Sequence, residues 1–394
     1  MSNNKLYIAA AGSGKTTFIF NDANKLYARG IPGNKKILIV TFTTNNQENI
    51  RDKFIKQYGY IPPHILVIGW YTFLLDYWIC PFKGSVIEQL YDRHVGVAFV
   101  SGISGKKKFK NGQIITTYHS DTEKFLDETK CNIYSDRLAE FAFQCRRKNK
   151  SDLIDRLSNI VDTLYIDEVQ DLAAWDYDIL SVILKSGKIK CVLCGDPRQH
   201  TYSTTSAMKN SKYRGDIADY IRDKVNTRNH QYAIIDTSTL SMSHRCCSEI
   251  CAFASKITPG FPPTVPCACQ SCLTKKEKYS LHRGVFWVRE KDVQKYVNTY
   301  KPLSLIWNKR TKLIVPTEWC LNWGESKGLQ AKATLIYLTK ELEKTLNDTG
   351  MVPDKTRNKF YVAVTRAEFT VGLIVHNDFD SAKVGLPFWA PDKE

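Results

Sequence analysis

The stretch Ala9-Ala10-Ala11-Gly12-Ser13-Gly14-Lys15-Thr16 decides the fold. The apolar run Lys5–Ala10 reads as a strand that leads into it, and a helical pattern opens at Thr16. Strand, glycine-rich turn and helix in that register are the context a phosphate loop requires. The glycines let successive backbone N–H groups cradle phosphate oxygens, and the helix N-terminus adds its positive end. The reading assigns phosphate binding to Ala11, Gly12, Ser13, Gly14, Lys15, Thr16 and Thr17. Lys15 is expected to reach the β- and γ-phosphates, and Thr16 to hold Mg²⁺.

Outward from this loop, short β-type runs recur between longer helical patterns. Strands are expected at Lys36–Thr41, Ile65–Trp70, Thr163–Asp167, Lys190–Gly195, Tyr232–Asp236, Gly284–Val288, Ala333–Leu338 and Phe369–Val375. Several are near-continuous Ile, Leu and Val, the pattern of strands buried on both faces. Strands alternating with helices imply a parallel sheet with right-handed crossovers, an α/β fold. Two further strand ends carry polar groups, and open parallel sheets bind ligands at those ends. Leu164-Tyr165-Ile166-Asp167-Glu168 delivers two adjacent carboxylates: Asp167 is placed to hold Mg²⁺, and Glu168 to orient and deprotonate an attacking water. Leu193-Cys194-Gly195-Asp196-Pro197-Arg198-Gln199 offers Gln199 as a sensor of the γ-phosphate or its water, the competing reading being an ordinary Gly-Asp-Pro turn.

The chain has 394 residues, with 56 Lys plus Arg against 40 Asp plus Glu, a net charge of +16. A hydrophobic fraction of 43% excludes a disordered chain. Residues 1–230 carry 33 basic and 24 acidic side chains, and residues 231–394 carry 23 and 16, so the excess is spread over both halves. A polyanionic partner suits this distribution, as does a plain solubility charge. The most apolar stretch, His64 to Phe82, is broken by Gly69, Asp76 and Pro81 and reads as core, so no membrane partner is expected. Twelve cysteines without a secretory leader point to free thiols in a reducing cytoplasm.

These motifs resemble those of superfamily 1 helicases of the UvrD, Rep and PcrA type, in the family's order over nearly the whole chain. Besides the phosphate loop, Thr41-Phe42-Thr43-Thr44-Asn45 and Trp70-Tyr71-Thr72-Phe73-Leu74 resemble the family's single-strand contact motifs. IDEVQD and GDPRQHTY are close to its DExxQ and GDxxQxIY forms. Ser243-His244-Arg245, Glu325-Ser326-Lys327-Gly328-Leu329-Gln330 and Lys359-Phe360-Tyr361-Val362-Ala363-Val364-Thr365-Arg366-Ala367 follow in sequence. The resemblance implies two RecA-like parallel-sheet lobes, a P-loop NTPase, with NTP hydrolysed between them and 3′-to-5′ stepping on single-stranded DNA. It implies Lys15, Glu168, Gln199, Arg245 and Arg366 as catalytic residues, the two arginines acting as fingers on the γ-phosphate. Gln330 would bind the nucleotide, and Thr41, Phe42, Thr43, Asn45, Thr72, Phe73 and Tyr202 would touch DNA. Phe73 lies in a strongly apolar run, where a core role competes.

The resemblance also implies boundaries: a first lobe at 1–80 and 156–230, a partly helical insertion at 81–155, and a second lobe at 231–394 with a Cys-rich segment at 246–272. The insertion carries the basic runs Lys106, Lys107, Lys108, Lys110 and Arg146, Arg147, Lys148, Lys150, which read equally as phosphate contacts or solvated loops. Several departures from the family matter. The eight residues ahead of Ala9 include no Gln to read an adenine edge, which predicts use of ATP and other NTPs alike. Gln330 stands where the family has Glu, and 81 residues between Arg245 and Lys327 leave little or no room for the family's large second-lobe insertion. Cys267-Ala268-Cys269-Gln270-Ser271-Cys272 with His282 offers three thiols and an imidazole to Zn²⁺; buried thiols acting as small apolar residues are the competing reading. The alternative function is a regulatory, DNA-sensing NTPase subunit beside a nuclease or other protein partner, in bacterial defence against phage.

Overall fold

The computed structural model describes residues 4–100, 102–104, 106–110, 113–201, 207–279, 281–379 and 384–391. They divide into two compact units. The first comprises Met1–Tyr7, Lys15–Pro197 and Tyr202–Asp236, and the second Ile8–Gly14, Arg198–Thr201 and Thr237–Glu394.

The first unit is built on a six-stranded sheet: β1 (Lys5–Ile8), β2 (Lys36–Thr41), β3 (Ile65–Gly69), β4 (Val161–Ile166), β5 (Lys190–Gly195) and β6 (Ile234–Asp236). Its spatial order is β6-β1-β5-β4-β2-β3. The pairs β1–β6, β2–β3, β2–β4 and β4–β5 are parallel. Ile37, Leu38, Ile39 and Val40 of β2 are all fully buried, which is why this run is continuously apolar rather than alternating. β1 ends at Ile8, two residues short of the expected Ala10, whose backbone N–H donates to Leu240 O within the second unit.

Between β3 and β4 the chain departs from the strand–helix rhythm. Gly96–Ala98 pairs in parallel with Asn132–Tyr134, and Lys106–Lys110 pairs antiparallel with Gln113–Thr117. Two helices, Leu138–Lys148 and Lys150–Ile160, return the chain to β4. The first basic run therefore forms a hairpin strand, and the second straddles the joint between two helices.

The second unit carries a five-stranded, wholly parallel sheet: β7 (Gly284–Arg289), β8 (Leu303–Ile306), β9 (Cys320–Asn322), β10 (Ala331–Tyr337) and β11 (Ala367–Val375). Their order is β7-β11-β10-β8-β9. One side of its core gathers Ile250, Trp287, Leu305, Trp323, Phe360 and Leu373 with Cys246, Cys247 and Cys251. These three thiols behave as small apolar residues. Ala11 of the phosphate loop packs in the same cluster.

Candidate nucleotide site

Three strand ends of the first sheet supply the polar groups. β1 runs out into the phosphate loop, and the helix Lys15–Arg29 begins at Lys15 itself. Gly12 and Gly14 both sit at positive φ, +72° and +81°, as a loop that turns its N–H groups inward demands. Lys15 is nearly buried, with Nζ 3.6 Å from Glu168 Oε1. Thr16 Oγ1 donates to Asp167 Oδ2 at 3.1 Å. The loop lysine and the magnesium-type hydroxyl are thus already in register with the two carboxylates at the end of β4. Burial first, and then the Glu168 charge, pushes the Asp167 carboxyl up to about 6, against the pull of Lys15 and Thr16. A bound cation is the partner that would relieve such a pair.

Glu168 is held in an uncommon conformation, φ +57° and ψ +41°, the left-handed region. For a residue with a side chain this costs roughly 1–2 kcal/mol and persists only where neighbours enforce it. Gln170 is one such neighbour. Its Nε2 donates to Glu168 Oε2, and its Oε1 accepts from the backbone N–H of Asp196 at 3.0 Å. A Cβ on Gly195 would stand 2.6 Å from that same Oε1, so only glycine admits the amide. Gln170 therefore couples the ends of β4 and β5. It was legible as a letter of IDEVQD, but its role depends on Gly195, which the sequence does not connect to it.

Within the second unit the rest of the loop meets its own partners. His244 donates its backbone N–H to Gly12 O at 2.9 Å, and a Cβ on Gly12 would meet Arg245 Cβ at 2.5 Å. Arg245 NH1 donates to Thr365 O at 3.0 Å, while its Nε is buried with no hydrogen-bond partner among the described residues. Ser13 Oγ is likewise buried and unsatisfied. Arg366 is almost fully buried: Nε donates to Val362 O at 3.0 Å, NH1 to Leu329 O at 3.2 Å, and NH2 to Gln199 Oε1 at 3.3 Å. It ties the Gln199 segment to the turn after Ser326 rather than presenting an unengaged cation. Arg198 and Tyr361 were not singled out from the sequence. Arg198 NH2 donates to Ala9 O at 2.9 Å, and Tyr361 Oη accepts from the Ala11 N–H at 3.4 Å. Their signal lay in the GDPRQ and FYVAVTRA motifs. Gln330 is exposed, as is Thr17.

The expected DNA contacts divide. The ends of β2 and β3 are adjacent, Thr41 pairing with Gly69, so the two motifs that follow them lie side by side. Thr43, Asn45 and Thr72 are exposed, and Phe42 is half-buried, stacked on Trp70 at 5.9 Å between ring centroids. Thr43 also caps the helix Thr44–Tyr58, its hydroxyl accepting from Asn46 N at 3.3 Å. Thr41 and Phe73 are corrections: both are 0% exposed, and Phe73 packs against Trp70 and Tyr77 as a core aromatic with no face left for a base. Tyr202 lies outside the described residues. A cavity of about 490 Å³ in the first unit, lined by Phe143, Arg146, Asp155, Asp178 and Lys185 among others, contains none of the motif residues.

The three cysteines expected to offer ligands to zinc do cluster, but not with His282. His282 Nδ1 is engaged with Tyr300 Oη at 2.8 Å, whereas His244 converges with Cys267, Cys269 and Cys272. His244 lies 23 residues ahead of Cys267, beyond the reach of a spacing argument.

A phosphate loop after the first strand, paired carboxylates at the end of another, and two parallel sheets define a P-loop NTPase of the α/β class. The chain belongs to the family described as AAA domain, which matches residues 1–205. Together with the ordered motifs, this membership supports a superfamily 1 helicase. No curated protein matches the chain. Among solved structures it is similar to arterivirus nonstructural protein 10, a helicase, at 13% identity over 95% of this chain, with a TM-score of 0.42. It is similar to the complex of that arterivirus helicase with DNA at 14% identity over 97% of this chain, TM-score 0.43. It is similar to the PRRSV helicase at 13% identity over 99%, TM-score 0.40. The matches cover 60%, 63% and 64% of those chains.

Proposed function

We propose that this chain couples hydrolysis of a nucleoside triphosphate to 3′-to-5′ movement along single-stranded DNA, and that ATP and other NTPs both serve. The observation that carries the reading is the pairing of Lys15 with Glu168 and of Thr16 with Asp167. The unsatisfied Ser13 Oγ and Arg245 Nε beside the loop fit a polyanionic ligand, since buried polar atoms otherwise find partners. Thr16 and Asp167 would hold Mg²⁺, which supplies neutralisation of phosphate charge. Lys15 would exchange its carboxylate for phosphate oxygens. Glu168, fixed by Gln170, accepts a proton from the attacking water. Arg245 offers the fork that stabilises charge developing in phosphoryl transfer. Phe42 with Thr43, Asn45 and Thr72 provides an aromatic and polar surface suited to a single strand; stacking there is worth about 1–3 kcal/mol per base and is tolerant of sequence.

The test is displacement of streptavidin from biotinylated single strands. With NTP, displacement from the 5′ end and not the 3′ end is the expected result. Displacement from neither end would overturn the motor reading in favour of the regulatory, DNA-sensing subunit.

A further inference from the structure

The second unit holds a cluster that NTP hydrolysis does not use. The ligand atoms of His244, Cys267, Cys269 and Cys272 all lie within 4.8 Å of one another. Cys272 Sγ is 3.7 Å from His244 Nδ1. Four donors at the corners of a tetrahedron with zinc–sulfur bonds of about 2.3 Å and zinc–nitrogen bonds of about 2.0 Å stand roughly 3.5–3.8 Å apart. With all four atoms within 4.8 Å of one another, no edge of the cluster needs to contract by more than about 1.3 Å to reach that size.

The backbone builds this convergence. Met242–Ser243 pairs in parallel with Val265–Pro266, and Cys267 donates its N–H to Ser243 O at 2.8 Å. Those bonds bring residues 244 and 267 together at the end of a two-residue ladder. The chain then turns at Cys269 into the helix Gln270–Glu277, whose first turn carries Cys272. Lys276, on the last turn, donates to Cys267 O at 3.3 Å and closes the loop back on itself. Thiols acting as mere apolar filling would be buried together among aliphatic side chains. Here Cys267 and Cys272 are 4% and 7% exposed, but Cys269 and His244 are exposed, and all three thiols converge on an imidazole. Three thiolates and one imidazole match the borderline-soft preference of zinc, and closed four-coordinate sets of this kind are structural.

We propose that His244, Cys267, Cys269 and Cys272 bind one Zn²⁺, and that the ion fixes the segment that braces the phosphate loop. His244 donates its backbone N–H to Gly12 O, and Arg245 packs its Cβ against Gly12. A metal on the imidazole of His244 therefore immobilises the residue between the ion and the loop. It acts through position, as a staple on the strand that delivers Arg245.

The experiment uses the full chain, purified without chelator and under reducing conditions. Elemental analysis is expected to give about one zinc per chain. After stripping, titration with Co²⁺ is expected to develop the intense visible bands of a tetrahedral thiolate site, and zinc is expected to bleach them and raise the melting midpoint where Mg²⁺ does not. His282→Ala should retain the metal, while His244→Ala and Cys272→Ser should each hold less than about a tenth of it. A wild-type chain with no stoichiometric zinc and no tetrahedral Co²⁺ spectrum overturns the proposal, without depending on any variant folding. Full retention of zinc in Cys272→Ser or His244→Ala overturns the ligand set.

Discussion

At Gly12 a side chain has nowhere to go. The backbone is left-handed, and the first added carbon would collide with Arg245. Gly12→Ala is therefore expected to push the phosphate loop off Arg245 and to abolish detectable nucleotide binding, read by titration calorimetry, with a fall in melting midpoint. Gln170 makes the second residue-scale claim. A hydrogen bond to a charged group is worth about 1.5–3 kcal/mol, which corresponds to roughly 10–100-fold in rate if it is lost only in the transition state. Gln170→Ala should lower kcat within that range and leave KM for NTP nearly unchanged, because the amide holds Glu168 Oε2 and the Asp196 N–H, the ends of β4 and β5. An equal rise in KM would show that Gln170 serves binding instead. Of these contacts, the sequence made Lys15, Thr16, Asp167 and Glu168 legible, because their chemistry depends on short spacing from a strand end. It could not make His244 legible as a neighbour of the three thiols, because nothing in a linear chain relates residue 244 to residue 272.

At the scale of elements, the long apolar runs were readable as strands, and of the short ones β8 and β9 were not. β2 and β5 coincide with their expected limits, Lys36–Thr41 and Lys190–Gly195. β8 and β9 have only four and three residues, and they are strands because β10 offers β8 an edge and β8 then offers one to β9. The helix Trp175–Ser186 is docked by a buried charge. Asp176 accepts from Trp70 Nε1 at 2.8 Å and from the Ala173 N–H at 3.0 Å. Burial pushes its carboxyl up to about 6, against these two donors. A carboxyl whose folded value lies above its unfolded value of about 3.9 binds more protons in the native state, so stability falls as pH rises between those values. The melting midpoint of the wild type should therefore decline relative to that of Asp176→Asn from about pH 4 to about pH 6, and then run parallel to it. A constant offset across that window would mean that Asp176 is not buried as an acid. In the same region Thr43→Ala removes a helix cap and should lower stability by about 1 kcal/mol.

At the scale of the whole molecule, the charge of +16 is divided between both halves of the chain. If it serves a single-stranded polyanion, the logarithm of the affinity should fall linearly with the logarithm of salt, with a slope of about −0.7 for each phosphate contacted. A flat dependence would assign the charge to solubility. Under the proposed function, hydrolysis at the phosphate loop and paired carboxylates is the step on which movement would depend. The most direct measurement is steady-state hydrolysis of ATP and GTP, each with and without single-stranded DNA, for the wild type and Glu168→Gln. The account predicts comparable rates for the two nucleotides, strong stimulation by DNA, and a loss of roughly 10²–10⁴-fold in the variant. Hydrolysis indifferent to DNA, or undiminished in Glu168→Gln, would contradict it.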